Sequence, residues 1–172
     1  MNIIRIPGLA DYQETLRMQE ELVRAHQDDP EREDELLLLG HAGVYTIGRT
    51  RDYASLHPGT VLPFPVHEIN RGGQATYHGP GQLVGYPVTD LNRRGRDLHA
   101  YVTSLENALI ESCARFGVAA RIREGLVGVW VEDRKIASIG VGVKKWIAMH
   151  GFAINLTRES LPPFLAITPC GI

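Results

Sequence analysis

Cys170 is the side chain in this sequence best suited to nucleophilic chemistry. It lies in the segment Thr168-Pro169-Cys170-Gly171, outside any helical or strand periodicity, and the flanking proline and glycine predict a defined turn. A free thiol with a pKa of about 8.5 is only a few per cent thiolate at neutral pH, so a nucleophile needs a base or a cation beside it. Without such a partner, an incidental loop cysteine would explain the pattern equally well.

Lys135 is a candidate for that partner. It follows the turn-forming triplet Glu132-Asp133-Arg134 and leads into the small, apolar run Ile136-Ala137-Ser138-Ile139-Gly140. A lysine beside a turn is usually solvated, but these neighbours would desolvate an ammonium group that points inward. Because a desolvated ammonium group favours a thiolate next to it, Lys135 and Cys170 together predict an activated nucleophile.

A glycine-rich block is the second feature that could do chemistry. It reads Arg71-Gly72-Gly73-Gln74-Ala75-Thr76-Tyr77-His78-Gly79-Pro80-Gly81-Gln82, so bare backbone alternates with polar side chains. Glycine permits close approach of the backbone to a ligand. The block matches neither G-x-x-x-x-G-K-[ST] nor G-x-G-x-x-G, and nucleotide binding has little support. On glycine content alone, a binding loop and a solvent-facing hairpin are equally good interpretations.

Two amphipathic helices are predicted to support these segments. The first runs from about Leu9 to His26. The second runs from Leu98 to Phe116, with Asp97 as its N-cap and Gly117 just after its end. Cys113 falls on the apolar stripe of the second helix and is therefore predicted to pack in the core rather than to react.

The remaining segments have the patterns of strands. The continuous apolar run Leu36–Leu39 predicts a strand covered on both faces, with Val44–Ile47 as a neighbour. Alternation with a period of two predicts an antiparallel meander over Leu126–Val131, Ile139–Val143 and His150–Leu156. The acidic stretch Asp28–Glu35 is predicted to be a solvated connector. Together these elements predict a single α+β domain.

Composition limits the kind of function. The chain has 172 residues and a formal net charge of −2, so nucleic acid is not the expected partner. The two cysteines lie far apart, and neither a disulfide framework nor a metal site is expected. Because the N-terminal residues lack a signal-like apolar region and no stretch approaches the ~20 apolar residues of a membrane span, a cytoplasmic location is expected.

Four blocks of this sequence together resemble the lipoyl(octanoyl) transferases, which are octanoyl-acyl-carrier-protein:protein octanoyltransferases of the lipoate-protein ligase B type. These blocks are RGGQATYHGPGQLVGYPV, KIASIGV, HGFAINL and ITPCG, and they occur in the family's order over nearly the whole chain. The resemblance implies a fold like the catalytic domains of biotin and lipoate protein ligases, with a mixed, largely antiparallel sheet flanked by helices. It also implies transfer of an octanoyl group from octanoyl-acyl carrier protein, through a cysteine thioester, to a lysine of a lipoyl domain, with no cofactor.

Residue roles follow from the same resemblance. Cys170 would carry the acyl thioester, and Lys135 would lower the pKa of its thiol. The implied acyl site comprises Arg71, Gly72, Gly73, Gln74, Ala75, Thr76, Tyr77, His78, Ser138, Ile139, Gly140, Gly151, Phe152 and Ala153. The implied acceptors are the lipoyl domains of 2-oxoacid dehydrogenases and the glycine cleavage H protein.

The end of the chain departs from the family. Members usually continue past the PCG motif, whereas this sequence ends at Ile172. Residues 1–172 are expected to form one catalytic domain without that segment, which is either missing from a shortened form or dispensable here. Cys170 then lies close to a terminus, where chains often fray.

Three other functions stay open at this point. An ATP-dependent lipoate or biotin ligase would need no nucleophilic cysteine, and a cysteine hydrolase would pair Cys170 with His78 or His150. A non-catalytic acyl-binding module would need no thiol at all. An acidic carrier protein would require a basic docking patch, for which the candidates are Arg93, Arg94 and Arg96 or Lys144 and Lys145, although each cluster is also typical of a solvated loop.

Overall fold

Apolar strands of this chain assemble into two sheets, and the larger sheet carries a helix on each face. The computed structural model describes residues 1–169. The elements are β1 (Asn2–Ala10), α1 (Tyr12–Asp28), β2 (Glu35–His41), β3 (Val44–Ile47), β4 (Val66–Glu68), β5 (Ala75–His78), β6 (Gln82–Asp90), α2 (Leu98–Arg115), β7 (Arg121–Arg123), β8 (Leu126–Val131), β9 (Arg134–Lys144) and β10 (Ile147–Asn155). Short 3-10 helices lie at Tyr53–Leu56, Leu91–Arg94, Arg158–Ser160 and Pro162–Ala166.

The larger sheet has the strand order β1-β2-β6-β10-β9-β8-β7. Only its β1–β2 pair is parallel among residues 1–169; the other neighbours are antiparallel. Strands β8, β9 and β10 are consecutive neighbours, so the predicted meander is confirmed. The predicted mixed, largely antiparallel sheet flanked by helices is confirmed as well.

The two helices cover opposite faces of this sheet. From α1, Val23 packs against Val88 and Ile147. From α2, Leu109 packs against Val129 and Ala137. Because successive side chains of a strand point to opposite faces, these contacts place the helices on either side of β6, β9 and β10. Neither helix found within residues 1–169 is long and apolar enough to cross a membrane.

The helix caps bear out one predicted boundary and overturn the other. The Asp97 side chain accepts a hydrogen bond from the N–H of Ala100 at 2.9 Å, as predicted for the N-cap of α2. The first helix, however, begins only after Asp11, whose side chain caps it through Glu14. The predicted start at Leu9 is wrong because Leu9 belongs to β1, which pairs with β2. This edge strand is mostly exposed, so its sequence carries no clear alternation.

The acidic connector is buried at its end, which corrects the prediction of a solvated stretch. The Asp34 carboxylate contacts Arg93 at 3.0 Å and Arg94 at 2.7 Å. Burial alone would raise the pKa of Asp34, but the hydrogen bonds from Arg94 and from the Asp90 N–H, with the charges of both arginines, together lower it. Glu35 pairs with His26 at 2.8 Å. Ion pairs with basic side chains from other segments therefore hold the end of this connector in a buried position.

The glycine-rich block connects the two sheets. Its strand β5 pairs with β3 in the smaller sheet, of order β4-β3-β5, whereas β6 lies in the larger sheet. Residues 75–78 are buried, and the Gly72 N–H donates to the Val141 carbonyl of β9 at 2.9 Å. The alternative of a solvent-facing hairpin is therefore wrong, and the block lies against the centre of the larger sheet.

Candidate functional site

A small pocket lies where the glycine-rich block crosses β6, β9 and β10. Its volume is 40 Å³, room for about three water-sized groups. Side chains and backbone from α1, from the block and from three strands line it: Tyr12, Arg71, Gly72, Gly73, Thr76, His78, Tyr86, Ser138, Ile139, Gly140, His150, Gly151, Phe152 and Ala153. Most residues of the expected acyl site therefore meet in one place, although they come from three separate segments of the sequence.

Three residues of the expected acyl site lie outside the lining. Side chains alternate along β5, so Thr76 and His78 face the pocket, whereas Ala75 and Tyr77 face the other way. Ala75 and Tyr77 pack with Tyr45 in the core of the smaller sheet. The side-chain oxygen of Gln74 is buried and has no hydrogen-bond partner among residues 1–169.

Arg71 brings a buried positive charge to the pocket. Its guanidinium group donates to the carbonyl oxygens of Gly72 at 2.9 Å and Thr46 at 3.0 Å, and to the Thr46 hydroxyl at 2.8 Å. These bonds hold the side chain across the loop that joins β4 to β5. The arginine is therefore a fixed cation at the pocket, and it acts on the titration of its neighbours.

The histidines of the pocket are held neutral. Burial, followed by the charge of Arg71, lowers the pKa of His150 to about 4. Burial also lowers the pKa of His78 well below its usual value, with contributions from His41 and Arg71. A neutral imidazole ring can donate or accept a hydrogen bond. Both residues can therefore form a hydrogen bond with a polar atom of a ligand or accept a proton.

Two tyrosines of the lining were not foreseen from the sequence. Tyr12 stacks on His78, with ring centroids 6.2 Å apart. The Tyr86 hydroxyl bonds to Nε2 of His41 at 2.7 Å, and burial raises the pKa of Tyr86 well above its usual value. Each tyrosine occupies a core-facing position of its helix or strand, so in the sequence it is indistinguishable from ordinary core packing.

Lys135 lies outside the pocket, near the start of β9. Its ammonium nitrogen is 5.6 Å from the centre of the Trp130 ring. It precedes Ser138 of the pocket by three strand residues, which is about 10 Å. A Cβ atom on Gly128 would come within 2.5 Å of Lys135 Cε, so the missing side chain at residue 128 leaves room for the lysine. The Gly128 N–H is bonded at 2.9 Å to the Glu106 carboxylate of α2.

Only one of the two cysteines lies within the described residues. Cys170, the expected nucleophile, lies outside the described residues 1–169. Cys113 is a free, buried cysteine on α2, which confirms its predicted place in the core. Burial raises the pKa of the Cys113 thiol, so this thiol is poorly suited to nucleophilic attack.

A larger groove of 1370 Å³ lies on the α2 side of the sheet. Lys135 and Phe152 are part of its lining, and its other walls are mainly apolar side chains, including Leu36, Leu38, Leu83, Leu105 and Ile154. The Phe152 ring lies directly over Gly85 of β6, and a side chain there would collide with it. Phe152 lines the groove as well as the small pocket.

The candidate docking clusters lie side by side. The Asn92 amide donates to the Lys145 carbonyl at 3.3 Å, which brings the 3-10 helix Leu91–Arg94 against the β9–β10 turn. Arg93 and Arg94 are engaged with Asp34. Arg96, Lys144 and Lys145 remain exposed. Within residues 1–169, no group of three or more His, Cys, Asp or Glu side chains could share a metal ion.

Curated relatives match almost the whole chain. An octanoyltransferase of Geobacter metallireducens is 53% identical over 174 residues, covering 99% of this chain and 78% of that protein. An octanoyltransferase of Citrifermentans bemidjiense is 48% identical over 170 residues, covering 99% and 80%. One of Synechococcus elongatus is 46% identical over 170 residues, covering 96% and 71%.

Solved structures share the fold at low sequence identity. A lipoate-protein ligase A bound with ATP superposes with a TM-score of 0.70 at 16% identity, covering 97% of this chain and 71% of that one. A structure of a bi-partite lipoate protein ligase from Thermoplasma acidophilum gives a TM-score of 0.63 at 18% identity, covering 96% and 65%. The model of the lipoyl protein ligase A/B catalytic domain matches residues 11–167. The chain therefore belongs to the lipoyl protein ligase A/B catalytic-domain family.

Proposed function

We propose that this protein is an octanoyltransferase that moves an octanoyl group from acyl carrier protein to a lysine of a lipoyl domain. The main support is the pocket that gathers Arg71–Gly73, Ser138–Gly140 and Gly151–Ala153. Relatives at 46–53% identity that are named octanoyltransferases point to the same activity. The ligases of known structure are less than 20% identical and support only the fold.

The proposed reaction needs two acyl transfers. The Cys170 thiolate attacks the carbonyl carbon of the donor thioester, and the carrier thiol leaves with a proton. The acceptor amine then attacks the new thioester, an amide forms, and the Cys170 thiol is regenerated. The first exchange is nearly balanced and the second runs downhill, so no ATP is required. In this scheme Lys135 stabilises the thiolate and passes protons between the reacting groups.

Partners and location are part of the proposal. Acyl carrier protein is the donor, and the lipoyl domains of 2-oxoacid dehydrogenases and the glycine cleavage H protein are the acceptors. The exposed cluster of Arg96, Lys144 and Lys145 suits an acidic carrier. We place the reaction in the reducing cytoplasm, because the sequence has only two cysteines, which lie far apart and form no disulfide framework pattern.

Intact-mass analysis after incubation with octanoyl-acyl carrier protein tests the proposal. The wild-type protein should gain one octanoyl group, and adding a lipoyl domain should move that group to the acceptor lysine. Cys170→Ser should abolish the thiol-linked adduct, whereas Cys113→Ser should retain it. An adduct that maps to Cys113 would overturn the assignment of the nucleophile.

The same assay separates the rival functions. Dependence on ATP with formation of an acyl-adenylate would indicate a ligase. Release of octanoic acid without an amine acceptor would indicate a hydrolase that uses His78 or His150. Binding of the acyl chain without a covalent adduct would indicate a carrier module.

A further inference from the structure

His150 occupies an irregular position in the middle of strand β10. Its backbone has φ of 60°, a left-handed conformation that residues other than glycine rarely adopt within a strand. The β10–β6 ladder is interrupted there, since pairing stops after Ala148–Thr89 and resumes at Phe152–Gly85. Pro87 lies in this gap and has no N–H to donate. Strain of this kind persists where the surrounding structure enforces it, often at a ligand site.

A buried glutamine of α1 holds this irregular backbone in place. The His150 N–H donates to the Gln19 side-chain oxygen at 2.8 Å. The amide of Gln19 is itself anchored, because its nitrogen donates to the Thr15 carbonyl at 3.3 Å. Gln19 is fully buried, so the bond is shielded from water and fixes β10 relative to α1.

The imidazole ring of His150 is directed at the pocket. The residue is only 3% exposed, and its Nδ1 atom has no hydrogen-bond partner within residues 1–169. The ring meets the Tyr86 ring edge-on, with centroids 6.5 Å apart. It also rests against Gly142, where an added Cβ would lie 3.0 Å from His150 Cδ2. Neighbours on both sides therefore restrict the movement of the ring.

The strand register fixes the end of the pocket at which His150 lies. Ser138 is opposite Ala153, Gly140 is opposite Gly151, and Val141 is opposite His150. Lys135 lies beyond the Ser138 end. The Lys135 side chain extends along β9 toward Ser138, because its Cε would lie 2.5 Å from a Cβ atom on Gly128, next to the Val129–Ala137 pair. At about 3.4 Å per residue, the ammonium group is about 10 Å from the level of His150, close to the length of an extended octanoyl chain. His150 is thus at the end of the pocket farthest from the proposed reacting group.

We propose that His150 is a specificity-determining residue that closes the far end of the acyl pocket and limits the length of the acyl chain. This inference rests on the proposed function, in which the thioester is held near Lys135 and the chain extends toward His150. Because the pocket holds only about 40 Å³, it accommodates the end of a chain, and one side chain can decide how many carbons fit. The ring is neutral at physiological pH, so it can face a terminal methyl group without burying a charge.

Transfer rates with acyl carrier protein loaded with hexanoyl, octanoyl, decanoyl or dodecanoyl groups test the inference. His150→Asn and His150→Gly both shorten the side chain, and both residues tolerate positive φ. Each variant should raise the ratio of kcat/KM for decanoyl over octanoyl by about tenfold, the effect expected when two more methylene groups are buried. His99→Asn, which removes an exposed histidine of α2, should leave the ratio unchanged.

Failure of this inference and failure of the proposed function have different signatures. If the variants transfer octanoyl groups with the chain-length profile of the wild type, the role of His150 is wrong and the octanoyltransferase remains. If the wild-type protein transfers no acyl group from any donor, the proposed function itself is wrong. Because His150→Gly also relieves the backbone strain, it keeps the test decisive should His150→Asn fail to fold.

Discussion

At the scale of single residues, Lys135 extends across a position that has no side chain of its own. Gly128 leaves the space, and the Trp130 ring contacts the lysine from the side, with Arg123 stacked on the same ring at 4.9 Å. A second cation on the same ring limits how far the ammonium group can move toward Arg123. The ammonium group is therefore constrained at the start of β9, as the proposed pairing with Cys170 requires.

Removing the charge of Lys135 should slow the reaction of Cys170. Lys135→Met keeps the length of the side chain but cannot stabilise a thiolate. We expect slower alkylation of Cys170 at neutral pH and a higher alkylation pKa, with each unit corresponding to about 1.4 kcal/mol of lost thiolate stabilisation. Lys135→Arg should restore part of the thiolate but little transfer, because arginine does not accept a proton. A pH series of Cys170 alkylation measures both effects.

Lys144→Met is the matched control for this experiment. Lys144 lies at the opposite end of the same strand and is exposed, so its loss should leave the alkylation curve unchanged. Superimposable curves for the wild type and Lys135→Met would exclude the lysine as the activating group. His78 would then be the next residue to test, since it lines the pocket and is held neutral.

Whether the position of a residue in the pocket could be predicted depends on the sequence pattern around that residue. Arg71, Ser138 and Phe152 lie in motifs that resemble a known family, and that resemblance grouped the three residues, which line one pocket. Tyr12 and Tyr86 lie on core-facing positions, where a pocket wall and a packed core have the same sequence pattern. The left-handed backbone of His150 had no local signal either, because it depends on Gln19, which is 131 residues away in the chain.

At the scale of elements, each helix stabilises an irregular strand position of the larger sheet. Gln19 of α1 accepts the His150 N–H, and Glu106 of α2 accepts the Gly128 N–H. Gly128 immediately precedes the point where the β8–β9 register shifts, between Val129 and Trp130. Buried N–H groups must find partners, so side chains of the helices supply bonds that the irregular ladders do not.

Glu106→Met should therefore weaken the structure beneath Lys135. The Gly128 N–H would lose its acceptor in a buried setting, at a cost of about 1–3 kcal/mol in the free energy of unfolding. Octanoyl transfer should fall as well, because β8 would no longer be held beneath the lysine. Urea unfolding and steady-state transfer assays measure the two effects.

Two further variants give this prediction its controls. Glu106→Gln retains an acceptor oxygen and should preserve most of the stability and activity. Asn107→Met changes the exposed neighbour on the same helix and should have little effect. If Glu106→Met proved as stable and as active as Asn107→Met, the bond to Gly128 would have no role in holding β8.

Sequence patterns located the second helix and the central strands better than the exposed edge strand and the start of the first helix. Helix α2 has a regular apolar stripe and a capping aspartate, and it was predicted nearly to its ends. Strand β1 was missed because an exposed edge strand needs no alternation. The burial of Asp34 depends on arginines some 60 residues away, and a local reading of charge cannot detect such a pairing.

At the scale of the whole molecule, three buried histidines should make folding sensitive to mild acid. The pKa values of His41 and His150 are lowered to about 4, and that of His78 is lowered well below its usual value, in each case chiefly by burial. In the unfolded chain these residues bind protons near pH 6.5. Between these values the unfolded state binds more protons than the folded state, so stability falls as pH falls.

His41 and His150 should each remove about 1.5 kcal/mol between pH 6.5 and pH 5, and His78 should add to the loss. The free energy of unfolding from urea titrations at pH 7, 6 and 5 measures this loss. His41→Gln should flatten the dependence, whereas His99→Gln, at an exposed position, should not. Asp34 acts in a separate window, because its pKa is lowered and its contribution is lost only below pH 3.8. A free energy of unfolding that stays constant from pH 7 to pH 5 would contradict the prediction.

Two of the glycines that lie beneath larger side chains have an evolutionary consequence. Gly85 lies beneath the ring of Phe152, and Gly128 lies beneath the chain of Lys135. A mutation that adds a side chain at position 85 displaces the ring above it, so its effect depends on which residue occupies position 152. Descendants of this protein should therefore change positions 85 and 152 together or not at all. At position 128, glycine should be retained even where Lys135 is replaced, because an added Cβ would also lie 2.6 Å from the Ala137 carbonyl oxygen and the backbone has φ of 126°.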